Sequence, residues 1–147
     1  MSGRLFSYLF AFSFALGCNG PFLLLPGGEL SGEERPAPQT WSFAKDSGPA
    51  ELQTLADDPY SINLVYTVVG GQLYLNAGDT ETQWVKNMIV DPLVRLRVDG
   101  VIYDARAERV TDRSTIDAFG RAWTRQSMFR RDPSQFDEVW IYRLIPR

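Results

Sequence analysis

Residues 71–112, GQLYLNAGDTETQWVKNMIVDPLVRLRVDGVIYDARAERVTD, decide the fold. Gln72 to Ala77 is a β-rich run. The period then changes: Trp84, Val85, Met88 and Ile89 recur at i, i+1, i+4 and i+5, one face of a helix. Thr80 with Gln83 three residues on forms a capping-box pattern, which sets the expected helix start near Thr80. Asp91-Pro92 ends the helix, because the residue before a proline avoids the helical region. Leu93 to Val98 alternates as a strand, with Arg95 and Arg97 on one face. Asp99-Gly100 supplies the two positive φ angles of a tight hairpin turn, and Val101 to Val110 is the return strand.

Upstream, Gly70-Gly71 joins this stretch to a long strand, Tyr60 to Val69, and Asp57-Asp58-Pro59 makes a turn before it. Glu51 to Leu55 is a further strand, and Trp41-Ser42-Phe43 is expected to open the domain as an edge strand. Downstream, Ile116, Phe119 and Trp123 place a second helix between Asp112 and about Arg125, with Ser114 and Asp117 as its capping pair. A basic loop, Met128 to Ser134, leads to a final strand over Gln135 to Leu144.

The order Trp84-x-x-Asn87, Asp91-Pro92-x-Val94, a strand, Asp99-Gly100 and Tyr103-x-Ala105-Arg106-Ala107-x-x-Val110 resembles the split β-barrel oxidoreductases. That group includes flavin-binding pyridoxamine-phosphate-oxidase-like and deazaflavin-dependent nitroreductase-like proteins. The end of the chain, Ile141-x-Arg143-Leu144-Ile145-Pro146-Arg147, looks like the closing strand of the second subgroup. The resemblance implies a mainly β (α+β) fold: a single six- to seven-stranded antiparallel split β-barrel with two short helices over residues 41–147. It also implies a homodimer with the ligand site at the interface, and FMN or a deazaflavin as the cofactor. In such barrels the cofactor phosphate lies near the start of a short helix, where free N–H groups and the helix dipole favour an anion. The matching positions are Thr82, Trp84, Lys86 and Asn87. Trp84 stands where the flavin subgroup often carries Lys or Arg. The basic Ser-Gly-Lys segment usual in the deazaflavin subgroup is replaced by the acidic Asp57-Asp58.

Each candidate also has a plainer role. Lys86 contacts a phosphate or only solvates a helix face. Arg95, with Arg97, forms an anion-binding floor or pairs with Asp104 or Glu108 across its hairpin. Trp84 stacks on a planar ligand or anchors the core. Tyr66 and Tyr74 line a pocket or pack as ordinary strand aromatics. Arg125, Arg130 and Arg131 contact anionic lipid headgroups or make a solvated loop. No acid–base pair stands out, so no catalytic residue is assigned.

Composition narrows the remaining choices. Apolar residues make up 44% and charged residues 22%, which fits one ordinary globular domain. A net charge of −3 gives no footprint for nucleic acid. The absence of histidine removes His-based triads, general bases and metal sites, and one cysteine permits no intrachain disulfide. Residues 1–17 read as a signal peptide: Arg4 is the positive region and Leu5 to Leu16 an apolar run too short to span a bilayer comfortably. Ala15-Leu16-Gly17-Cys18 resembles the bacterial lipobox, which implies lipid attachment at Cys18; a plain signal peptide or signal anchor with an incidental cysteine is the alternative. By resemblance to lipoprotein sorting in didermal bacteria, Asn19 rather than Asp then implies the outer membrane, facing the periplasm. Residues 18–40 read as a flexible tether, with Pro21, Pro26, Pro36 and Pro38, and its Phe22-Leu23-Leu24-Leu25 run is expected to dock on the domain rather than sit at the lipid surface. Pro59-Tyr60-Ser61-x-Asn63, with Trp41-x-Phe43 upstream, is similar to a group of small predicted lipoproteins. The expected function is therefore a lipid-anchored envelope protein whose barrel is a ligand-binding or structural module. The alternative is a flavin- or deazaflavin-dependent oxidoreductase.

Overall fold

The computed structural model describes residues 20–137 and 139–147. The signal segment and Cys18 lie outside them. The strands are β1 (Glu33–Pro36), β2 (Ser47–Thr54), β3 (Tyr60–Val69), β4 (Gln72–Ala77), β5 (Leu93–Val98), β6 (Val101–Arg109) and β7 (Trp140–Pro146); the helices are α1 (Gln83–Val90) and α2 (Arg113–Arg125). Strands β2 to β7 close an antiparallel barrel in the order β6-β5-β2-β3-β4-β7, with β7 pairing back onto β6. The expected split barrel with two helices is the observed fold.

The two glycine turns work as their residues dictate. Val69 pairs with Gln72 across Gly70-Gly71, whose φ angles are 57° and 77°. Val98 pairs with Val101 across Asp99-Gly100, at 49° and 82°. Positive φ at both central positions matches the right-handed strand twist. Alternation then fills the barrel: Leu52, Tyr66, Leu73, Leu75, Val94, Leu96, Tyr103, Ala105, Tyr142 and Leu144 point inward. Helix α1 covers one end with Trp84, Val85 and Met88. Trp41 is fully buried at the other end, edge-on to Tyr103 at 5.1 Å, with its backbone N–H bonded to Gly71. Helix α2 lies outside the barrel, where Phe119 packs on Tyr74 and Ile141.

Several boundaries differ from the sequence expectation. Trp41 to Ala44 is a turn, closed by Ala44 N–H to Trp41 O, and not an edge strand; burying the indole in the barrel mouth requires the chain to fold back there. Helix α1 starts at Gln83, with Thr82 as N-cap and no side-chain cap bond, so the Thr80–Gln83 capping box does not form. The Gln83 amide is used instead on Asn87. Helix α2 is capped by Asp112, which accepts from the Thr115 N–H, and not by Ser114. The last strand begins at Trp140, because Asp132 caps a 3-10 turn at Pro133–Gln135 that takes up the start of the predicted strand.

Part of the expected tether has fixed structure. Strand β1 adds in parallel to β6 over Val101–Asp104. Leu30 is buried and its N–H donates to Gln53 Oε1 at 2.7 Å. Prolines and charges do not prevent this, since an edge strand needs only backbone pairing and one apolar anchor.

Candidate functional site

Helix α1 carries four of the predicted site residues, and the fold uses most of them. Asn87 is buried: its Nδ2 donates to Thr54 Oγ1 at 2.9 Å, and its Oδ1 accepts from Gln83 at 2.8 Å. That pair ties α1 to the end of β2. Trp84 packs inward against Tyr142, ring centres 6.4 Å apart. Lys86 is half exposed and pairs with Glu81 at 3.1 Å. The Thr82 hydroxyl donates to the Asp79 carbonyl at 3.0 Å. The backbone of the first helical turn therefore has no side-chain cap, and the one cation of α1 already has a carboxylate partner.

Tyr66 and Tyr74 do not share a pocket. Tyr66 pairs with Leu75 and points into the barrel; Tyr74 pairs with Thr67 and points out under α2. The Tyr66 ring lies against β2, where a Cβ at Gly48 would stand 3.0 Å from its hydroxyl, so the glycine leaves room for the ring. Burial pushes both phenols above their ordinary pKa, with the Asp99 charge adding to the shift of Tyr66. Both stay neutral donors at physiological pH.

Arg95 lies on the outer face of β5, between the core residues Val94 and Leu96. It binds the Glu34 carboxylate of β1, lies 3.6 Å from both Glu29 and Asp104, and donates to Gln53. Arg97 pairs with Glu51 and donates to the Ser31 carbonyl at 2.7 Å. The two arginines thus clamp residues 29–34 to the sheet, and the expected cross-hairpin partner Asp104 is one of several acids around Arg95.

What the structure brings together near α1 is different. A groove of about 390 Å³ runs between the start of α1 and the chain before β1, lined by Leu23, Leu24, Tyr60, Asn63, Thr82 and Trp84 among others. Thr82 and Trp84 are the predicted residues it contains. Tyr60 and Asn63 are not among the expected site residues; their sequence signal is the Pro59-Tyr60-Ser61-x-Asn63 motif. Asn63 Nδ2 holds the carbonyls of Pro21 and Leu23, at 3.3 and 3.0 Å, and the Ser61 backbone pairs with Gly27. The motif thus fastens the N-terminal segment to β3. Among the described residues, no group of three Asp, Glu or Cys side chains is placed to hold a metal, and no helix is long and apolar enough to cross a membrane.

No protein-family model matches the chain, and no curated protein does. Solved structures do. A conserved hypothetical protein from Mycobacterium tuberculosis superposes with a TM-score of 0.53 at 20% identity, over 67% of this chain and 72% of that one. A putative pyridoxamine 5'-phosphate oxidase from Listeria innocua gives 0.53 at 16% identity, over 67% and 83%. A NimC/NimA family protein from Clostridium acetobutylicum gives 0.53 at 15% identity, over 67% and 73%. At these identities the similarity is one of fold, and that fold is the split barrel.

Proposed function

We propose that this chain is a lipid-anchored envelope protein, attached through Cys18 on the periplasmic side of the outer membrane, whose split barrel is a ligand-binding or structural module. The observation that carries the module reading is the engagement of α1. Asn87 is bonded to Thr54 and Gln83, Trp84 is packed on Tyr142, and Lys86 is paired with Glu81. The positions a phosphorylated cofactor would use already serve the fold. A planar or apolar ligand has the groove between Leu23–Leu24, Tyr60 and Trp84. Labelled palmitate tests the anchor: the wild-type chain takes up label, and Cys18→Ser loses it and accumulates as an unprocessed precursor. Normal labelling of Cys18→Ser would remove Cys18 as the attachment point.

The second reading is a flavin- or deazaflavin-dependent oxidoreductase. The groove beside the uncapped first turn of α1 favours it. FMN or a deazaflavin would supply the hydride chemistry, while Thr82, Trp84 and Lys86 would hold and orient it. Export makes a flavin easier to supply than a deazaflavin. Under this reading Lys86→Ala weakens FMN binding; unchanged affinity takes Lys86 out of the site. A homodimer is the assembly expected of either version.

A further inference from the structure

Phe22, Leu23, Leu24 and Leu25 are 70, 73, 99 and 66% exposed, yet their backbone is held in place. Phe22 N–H donates to Leu25 O at 3.0 Å and Leu25 N–H to Phe22 O at 2.8 Å, and Asn63 fixes the Leu23 carbonyl. Leu23 takes a φ of 52°, a left-handed conformation for which Gly or Asn is the usual choice. The Phe22–Leu25 run therefore docks by its backbone and presents its side chains to the outside.

A second apolar tip lies on the same side. Along β3, Ile62, Leu64 and Tyr66 pack toward the barrel interior, so Asn63, Val65 and Thr67 share the outer face. Asn63 holds the Phe22–Leu25 turn; Val65 is 37% exposed; Thr67 accepts from Gln126 at the end of α2. Asn63 and Thr67 are about 13 Å apart along the strand. Two and three residues after Gln126 come Met128 and Phe129, 90 and 89% exposed. Arg130 and Arg131 follow, and no carboxylate among the described residues pairs with either. Arg130 lies over the Trp123 ring, 3.8 Å from its centre.

We propose that this face, made of the Phe22–Leu25 turn, Val65 and the Met128–Arg131 loop, rests on the phospholipid surface and sets the orientation of the barrel. The proposal rests on the envelope-anchoring reading above. Chain length supports it: only three residues lie between Cys18 and Phe22, so the turn stays within about 14 Å of the point where the chain meets the membrane. The apolar tips enter the headgroup–acyl boundary, and Arg130 and Arg131 meet anionic headgroups there.

The test uses the full chain, processed in cells and reconstituted in vesicles of phosphatidylethanolamine with phosphatidylglycerol, with or without brominated acyl chains. Leu24→Trp and Phe129→Trp each add one tryptophan at an exposed site, and the parent chain gives the background of its own four. The expected result is that the added emission is blue-shifted and is lost in brominated lipid at both positions. Added emission that stays unquenched at either position overturns the proposal. So does a blue shift that grows with protein concentration but ignores bromine, which marks the face as an interface between copies of the chain. Palmitate labelling of the same samples separates the two readings: a failed anchor shows as lost label, and a failed face as labelled protein with unquenched tryptophan.

Discussion

Asn87→Ala separates the two meanings of helix α1. The side chain is buried and makes hydrogen bonds of 2.9 Å to Thr54 and 2.8 Å to Gln83. Each such bond contributes about 1 kcal/mol net, and a buried partner left without its bond adds to the loss. Gln83 is exposed and turns to water, while the Thr54 hydroxyl keeps only its donation to the Tyr60 carbonyl at 3.2 Å. The expected destabilisation is therefore about 2–3 kcal/mol, mostly from the Thr54 side. For a domain of this size that lowers Tm by roughly 8–12 °C. The assay is thermal unfolding followed by near-ultraviolet circular dichroism, which reports Trp84 and its neighbours, run beside an FMN titration. An unchanged Tm together with a lost affinity for FMN would show that Asn87 belongs to a cofactor site and not to the frame.

Three further perturbations test other parts of the account. Leu30→Ala should destabilise by about 2–4 kcal/mol in urea, since its side chain is buried against the barrel; a change near zero would return residues 20–38 to the status of a tether. Gly120→Ala should cost about 1–3 kcal/mol, because a Cβ there collides with the Asp132 carboxylate, with Cγ at 3.0 Å, and Asp132 is held in place by capping Ser134; Asp132→Ala in the same chain should recover part of the loss. Asp112 is held below its ordinary pKa of 3.8 by hydrogen bonds from Thr115 and then Ser114. A depressed carboxyl contributes stability that is complete above 3.8 and is lost as pH falls through the lower folded value. The Tm gap between wild type and Asp112→Ala should accordingly be present at neutral pH and close in strong acid; a gap of constant size would contradict the capping role.

The barrel was legible where its signals are local. Asp91-Pro92, Gly70-Gly71 and Asp99-Gly100 each dictate backbone angles without help from the rest of the chain, and the alternation between them fixes which side chains fill the core. Strand β1 was not legible, because Glu33-Glu34-Arg35-Pro36 has no apolar face and is exposed along its length; it exists through pairing with β6, about 70 residues away, and through Arg95 reaching Glu34. Trp41-Ser42-Phe43 has strand-like composition, but a tertiary demand, closing the barrel mouth, turns it. The separation of Tyr66 from Tyr74 follows from the register: a two-residue loop pairs Val69 with Gln72 and so sets Tyr66 opposite Leu75. The groove was not legible for a different reason. A third of the residues lining it belong to the Leu23–Leu25 turn, whose place depends on long-range contacts from Asn63 and Ser61.

The most direct measurement on the central claim is the absorbance spectrum, from 300 to 500 nm at about pH 7, of the full chain processed in cells and purified in detergent, followed by titration with FMN. The expected result is a colourless protein without saturable micromolar binding, since Trp84, Lys86 and Asn87 are committed to Tyr142, Glu81 and Thr54. A bound chromophore, or saturable binding of FMN that Lys86→Ala weakens, would contradict it and make the reductase reading primary.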